Sequence, residues 1–215
     1  MGFVVPAKAG TQRLSSNDTG PPPSRGRQFC ASEQHRVWAS LSDAGSLPAT
    51  GIGFTLILFL DFDGVLHPDP CYQTKRLFEN APRLAAVLDP FAEVCVVLST
   101  SWRTGKTLDA MVAPLPQPLR ERVIGVTPLA SAFSPPPHLM PYRRHAECVQ
   151  WMRTNGQDDR DWIALDDRAS WFSPACEFLI VCDSQAGFNE EAAGRLRSSL
   201  TTARQRMLRR IDSIL

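Results

Sequence analysis

No stretch of this chain approaches the ~20 consecutive apolar residues of a membrane-spanning helix, and its first residues lack the charged-then-apolar pattern of a secretory signal. No membrane association is therefore expected, and the expected location is cytoplasmic. An excess of one charge is missing too. Lys plus Arg number 23 against 22 for Asp plus Glu, a net charge of +1, so no overall field steers the protein to nucleic acid or an anionic surface. Any such preference has to be local. The six cysteines (Cys30, Cys71, Cys95, Cys148, Cys176, Cys182) contain no C-x-x-C pair and no metal-finger spacing. Several sit in apolar runs, which reads as reduced thiols acting as small hydrophobes. Gly51-x-Gly53 is too short for a nucleotide fingerprint.

What is present is ordinary for a globular protein: 43% hydrophobic and 21% charged residues. The 215 residues exceed what a one-core domain of ~100–200 needs. The surplus lies at the start. Residues 1–52 are rich in Ser, Gly, Pro and Thr without a sustained period, and are expected to be a disordered or spurious extension. The catalytic domain is expected over 53–215.

From Gly53 the character changes. Thr55–Leu60 is a continuous apolar run suited to a strand buried on both faces, as is Val94–Leu98. Asn80 is expected to cap a helix with Pro82 in its first turn and Leu84, Val87 and Leu88 on its apolar face. Short helices are expected near Leu108–Val112 and Pro118–Arg122, then a strand at Val123–Val126 and a Pro-rich loop. A helix over Tyr142–Thr154 ends near Asn155-Gly156, strands follow at Trp162–Leu165 and Phe178–Cys182, and a long helix starts near Asn189. This alternation predicts an α/β fold: a doubly wound, Rossmann-like, mostly parallel sheet with helices on both faces and its ligand crevice at the carboxyl ends of the strands.

The acidic clusters sit at such ends. Asp61 and Asp63 follow the first strand and Asp166-Asp167 follow another. Like charges this close raise each other's pKa unless a cation compensates, and four carboxylates at one crevice form a hard oxygen site suited to Mg²⁺. Asp61, Asp63, Asp166 and Asp167 are thus the expected metal ligands.

These residues carry a resemblance. LFLDFDGVLHP resembles the first motif of the haloacid dehalogenase-like (HAD) superfamily, and VVLSTSWR and WIALDDR resemble its second and fourth. Through S-x-S-W-R, R-x-x-E, W-I-x-L-D-D and the late G-F-N, the chain most resembles HAD domains associated with Swiss-army-knife RNA repair proteins. The resemblance spans about residues 54–190. It implies that Asp61 is a nucleophile forming an aspartyl-phosphate and that Asp63 is the general acid and then base. It further implies that Ser99 or Thr100 supplies a hydroxyl to the phosphoryl oxygens, and that Arg144 or its neighbour Arg143 supplies the third-motif cation, with Arg144 fitting R-x-x-E better. The retained Asp63 speaks against dehalogenase chemistry, and the absence of D-K-T-G against an ion-pumping ATPase.

Outside the motifs, Trp102 either packs the sheet edge or stacks a base, and the arginines of the last helix either form a solvated face or track a polynucleotide backbone. His67, His138 and His145 have no ligand spacing. The stretches from Asp61 to Ser99 and from Ser99 to Arg144 are consumed by the sheet's own elements, leaving little or no room for a cap domain. The expected function is a Mg²⁺-dependent phosphatase open to a bulky phosphorylated substrate, with nucleic-acid ends preferred. The alternatives are a nucleotidase-like small-molecule phosphatase, if the loop at 134–141 folds over the site, and a non-catalytic phosphate-binding module.

Overall fold

The computed structural model of the chain describes residues 55–157 and 162–212; the expectations for residues 1–52 and for Cys30 lie outside them. Five parallel strands form one sheet in the order β3-β2-β1-β4-β5: β1 (Leu56–Leu60), β2 (Val94–Leu98), β3 (Val123–Val126), β4 (Trp162–Asp166) and β5 (Leu179–Val181). The helices are α1 (Ala81–Leu88), α2 (Leu108–Val112), α3 (Gln117–Arg120), α4 (Arg143–Thr154) and α5 (Glu190–Asp212). No helix among the described residues is long and apolar enough to cross a membrane.

The apolar strands read as unbroken runs because both faces of the sheet are covered. Alternate residues of β1 go to different cores. Leu56, Leu58 and Leu60 join Leu84 and Leu88 of α1, Met111 of α2, Leu119 of α3, and Leu196 and Leu200 of α5. Ile57 and Phe59 join Val97, Trp162 and the α4 side chains Cys148, Trp151 and Met152. Phe59 meets Trp151 and Trp162 edge to face, with ring centres 5.8 and 5.5 Å away. The five cysteines among the described residues are free thiols, and burial pushes Cys182 up to about 12.

One local expectation holds only in part. Asn80 stands at the N-cap position but makes no side-chain cap bond, its Oδ1 accepting from Arg83 at 3.1 Å. Its amide N–H groups donate to the carbonyls of Val65 (3.3 Å) and Ala186 (3.2 Å), tying the loop after β1 to the loop after β5. Gly187 (φ +64°) makes this possible, since a Cβ there would lie 2.3 Å from the Asn80 amide nitrogen. The end of α4 behaves as expected: Gln157 N–H bonds Met152 C=O and Gly156 N–H bonds Arg153 C=O, with Gly156 at φ +64°.

The strand order reverses between β1 and β4, where an open α/β sheet has its ligand crevice. Among the described residues no separate cap domain interrupts the sheet elements. The loop between β3 and α4 is pinned at its start, where Ala130 N–H donates to Glu147.

Candidate active site

The ladder continues one residue past the ends of β1 and β2. Asp61 N–H bonds Leu165 C=O at 3.1 Å and Ser99 N–H bonds Leu60 C=O at 2.7 Å, which sets Asp61 beside Asp166 on one side and Ser99 on the other. Asp61, Ser99, Thr100 and Asp166 are all buried. Carboxylate oxygens of Asp61, Asp166 and Asp167 lie within 4.8 Å of one another.

Three carboxylates therefore converge, not four. Asp63 points elsewhere: Trp102 Nε1–H donates to its two oxygens at 3.1 and 3.0 Å, and Ser101 reaches it at 3.4 Å. His67 Nε2 lies 3.1 Å from Asp63 while its Nδ1 accepts the Phe78 N–H at 3.4 Å. That acceptance leaves the neutral ring's proton on Nε2, so His67 donates to Asp63. Phe78 holds a left-handed φ of +62°, costing a bulky residue about 1–2 kcal/mol. Its ring meets those of Phe62, His67 and Trp102.

Gly64 explains the D-x-D-G turn. Its φ is +68°, and a Cβ there would lie 2.5 Å from the Asp167 carboxyl carbon. The glycine lets the β1 and β4 loops close on each other.

Arg144 is the cation of this centre. It is buried, with Nη2 3.4 Å from Asp61 and Nε 3.3 Å from Asp166. Arg143 pairs with none of these carboxylates, and its guanidinium lies over the ring of Trp171, 3.8 Å from its centre. Buried Glu147 sits between Arg144 and Arg103, and Arg103 also donates to the Thr100 carbonyl. Of the two candidate hydroxyls, Thr100 Oγ1 accepts the Trp102 N–H, whereas Ser99 Oγ lies 3.9 Å from Cys148 Sγ, alongside Asp61.

The electrostatics follow from burial. Desolvation pushes Asp61 up to about 6 against the pull of Arg144 and the Phe62 N–H, with Asp63 and Asp167 adding to the rise. Asp166 is raised well above the usual carboxylate range by burial and by Asp61, and Asp167 is raised by burial, Asp69 and Asp63 against the pull of Arg168. Asp63 differs. Burial would raise it, but the hydrogen bonds from His67, Trp102 and Ser101 hold it below its ordinary value.

Asp166 Oδ2 and Arg144 Nε are buried and make no hydrogen bond, being held only by their mutual ion pair at 3.3 Å, and Arg144 Nη1, 3.8 Å from Glu147, makes none either. A buried carboxylate oxygen short of hydrogen bonds beside two more carboxylates fits a hard divalent cation such as Mg²⁺, and guanidinium N–H groups short of hydrogen bonds fit an anion. The arrangement brings together a cluster of three carboxylates, a buried cation, a hydroxyl beside Asp61, and a separately held carboxylate.

Reading the sequence alone missed His67, Glu147 as a bridge, and the role of Trp102. The Asp63-to-His67 spacing of four residues was the available signal for the first. The basic face of α5 turns out to be partly tied down. Arg195 bonds the Val181 carbonyl, and Arg204 pairs with Glu93 at 2.6 Å beside the start of β2, away from this centre.

Residues 57–193 match the family model described as the HAD domain in Swiss Army Knife RNA repair proteins. No curated protein and no solved structure matches the chain.

Proposed function

The chain belongs to the family of HAD domains in Swiss Army Knife RNA repair proteins, and from that premise we propose that it is a Mg²⁺-dependent phosphoric monoester hydrolase acting through an aspartyl-phosphate on Asp61, with terminal phosphates of nucleic acids as its substrates. The observation that carries the reading is the division of labour between two carboxylates two positions apart. Asp61 clusters with Asp166 and Asp167 and pairs with Arg144, while Asp63 is held apart by Trp102 and His67.

In this reading Asp61, Asp166 and Asp167 hold the Mg²⁺. A Mg²⁺ ion held by these three carboxylates would supply charge neutralisation for the phosphoryl oxygens. Arg144 uses Nη1, which makes no hydrogen bond in the free protein, on a phosphoryl oxygen, and the Ser99 hydroxyl donates to another. An Asp61 oxygen attacks phosphorus, forming the acyl phosphate as the bond to the leaving oxygen breaks. Asp63 gives that oxygen a proton. Asp63 is ionised in the free protein, and the negative charge of the arriving phosphate raises its proton affinity, so the proton is taken up with the substrate. Asp63 then takes a proton from water, whose oxygen attacks phosphorus and releases inorganic phosphate from Asp61.

The open crevice at the sheet's switch point and the absence of a cap among the described residues favour a bulky substrate. The test is a panel of p-nitrophenyl phosphate, nucleotides and 3′- and 5′-phosphorylated oligonucleotides, with Asp61→Asn as control. Mg²⁺-dependent phosphate release that the control lacks is expected. No turnover of any ester, or equal turnover by the control, overturns the reading.

A further inference from the structure

The mouth of the carboxylate centre carries a cation that none of these reaction steps uses. Arg143 opens α4 next to Arg144, yet its guanidinium carbon lies 3.8 Å from the centre of the Trp171 ring. The guanidinium carbons of Arg144 and Arg168 lie 5.2 and 5.8 Å from the same ring. Two of these three arginines are engaged. Arg144 faces Asp61 and Asp166, and Arg168 pairs with Asp167 at 3.2 Å and with Asp69. Arg143 is exposed and, among the described residues, has no ion pair.

Trp171 stays half-buried in the turn that follows β4, its backbone N–H bonded to the Arg168 carbonyl at 2.9 Å. A guanidinium stacked on a fixed indole loses little freedom when it binds and still offers its N–H edge. That edge matches two oxygens of a phosphate. Arg144, whose guanidinium lies near the same ring, reaches on to Asp61 and Asp166, so Trp171 links Arg143 to the buried cation of the centre. The arginines of α5 from Arg204 onward lie toward the opposite end of the sheet, where Arg204 holds Glu93.

We propose that Arg143, mounted on Trp171, is a subsite for a second phosphate of the substrate, beside the phosphate bound at Asp61 and Arg144. The inference rests on the phosphatase reading and narrows it: the preferred substrate carries two neighbouring phosphates, as a strand end or a small bisphosphate does.

The test compares a nucleoside 3′-monophosphate with the corresponding 3′,5′-bisphosphate and with a dinucleotide bearing a 3′-terminal phosphate, so that the transferred group and the sugar attached to it are held constant. The wild-type protein is expected to favour the two-phosphate substrates at least tenfold in kcat/KM, mainly through KM. Arg143→Ala should lower that ratio about tenfold, Arg143→Lys less, and Trp171→Leu by an intermediate amount, while Arg209→Ala at the far end of α5 leaves it unchanged. A bisphosphate effect without a dinucleotide effect identifies a small-molecule source, and the reverse a strand; either supports the subsite. A wild-type ratio near one, or an Arg143→Ala loss equal on all substrates, overturns it. Calorimetric binding of the bisphosphate and the monophosphate to Asp61→Asn protein, with and without Arg143→Ala, separates the two claims. A lost preference there supports the subsite even where turnover fails, and an unchanged preference overturns it even where turnover succeeds.

Discussion

The indole N–H of Trp102 donates to both carboxylate oxygens of Asp63, at 3.1 and 3.0 Å, across 39 residues of sequence. This bond fixes the rotamer of the group assigned to proton transfer. Trp102→Phe keeps the ring contacts with Phe62 and Phe78 but removes the donor. A hydrogen bond to a charged group contributes about 1.5–3 kcal/mol, so turnover of alkyl phosphates should fall about tenfold or more. Turnover of p-nitrophenyl phosphate, whose leaving group needs little protonation, should fall much less. Equal losses on both would show that Trp102 acts only through packing.

Gly64→Ala introduces a Cβ 2.5 Å from the Asp167 carboxyl carbon at a φ of +68°. Displacing Asp167 breaks the three-carboxylate cage, and the left-handed backbone alone costs about 1–2 kcal/mol. Thermal melts should show a lower Tm and little further rise with Mg²⁺. A variant that keeps the full Mg²⁺ response would remove Asp167 from the cage.

Glu147 lies buried between Arg103 and Arg144. Glu147→Ala leaves both guanidiniums without their shared anion, and breaking a buried ion pair from one side costs about 3–5 kcal/mol. A urea midpoint lowered by that equivalent is expected. A loss under about 1 kcal/mol would mean that water reaches these arginines.

The metal response should depend on pH. Burial raises Asp61 from an ordinary 3.8 to about 6 and raises Asp166 well above its usual range. The folded protein therefore binds more protons than the unfolded chain in this window, and without Mg²⁺ its stability falls as pH rises through it. Mg²⁺ competes with those protons for the same oxygens. Its stabilisation should be small near pH 5 and larger near pH 7.5, read as the shift in Tm. A shift that does not change with pH would separate these carboxylates from the metal.

Much of this was legible in the residues. The runs ending in Leu60, Leu98 and Leu165 are unbroken because both faces of each strand are buried, and the turn residues after them place Asp61, Ser99 and Asp166 at one edge. Local sequence is silent where partners are distant. Asn80 has the residue type of a cap, yet its amide serves Val65 and Ala186, so tertiary demand overrides the local preference. The clamp on Asp63 draws on Trp102 and, through His67, on Phe78, and the bridge at Glu147 draws on Arg103; no periodicity encodes these meetings.

The central claim is that Asp61 is the residue that carries the phosphoryl group and Asp63 the one that releases it. The measurement is acid-quench trapping with Mg²⁺ and ³²P-labelled phosphate ester in the Asp61→Asn and Asp63→Asn proteins. Asp63→Asn should accumulate an acid-stable, hydroxylamine-labile phosphoenzyme from a substrate with a good leaving group, because the nucleophile is intact and the base for water is gone. Asp61→Asn should accumulate none and release no phosphate. Phosphate release by Asp61→Asn at the wild-type rate, or label retained in both variants, would contradict the account.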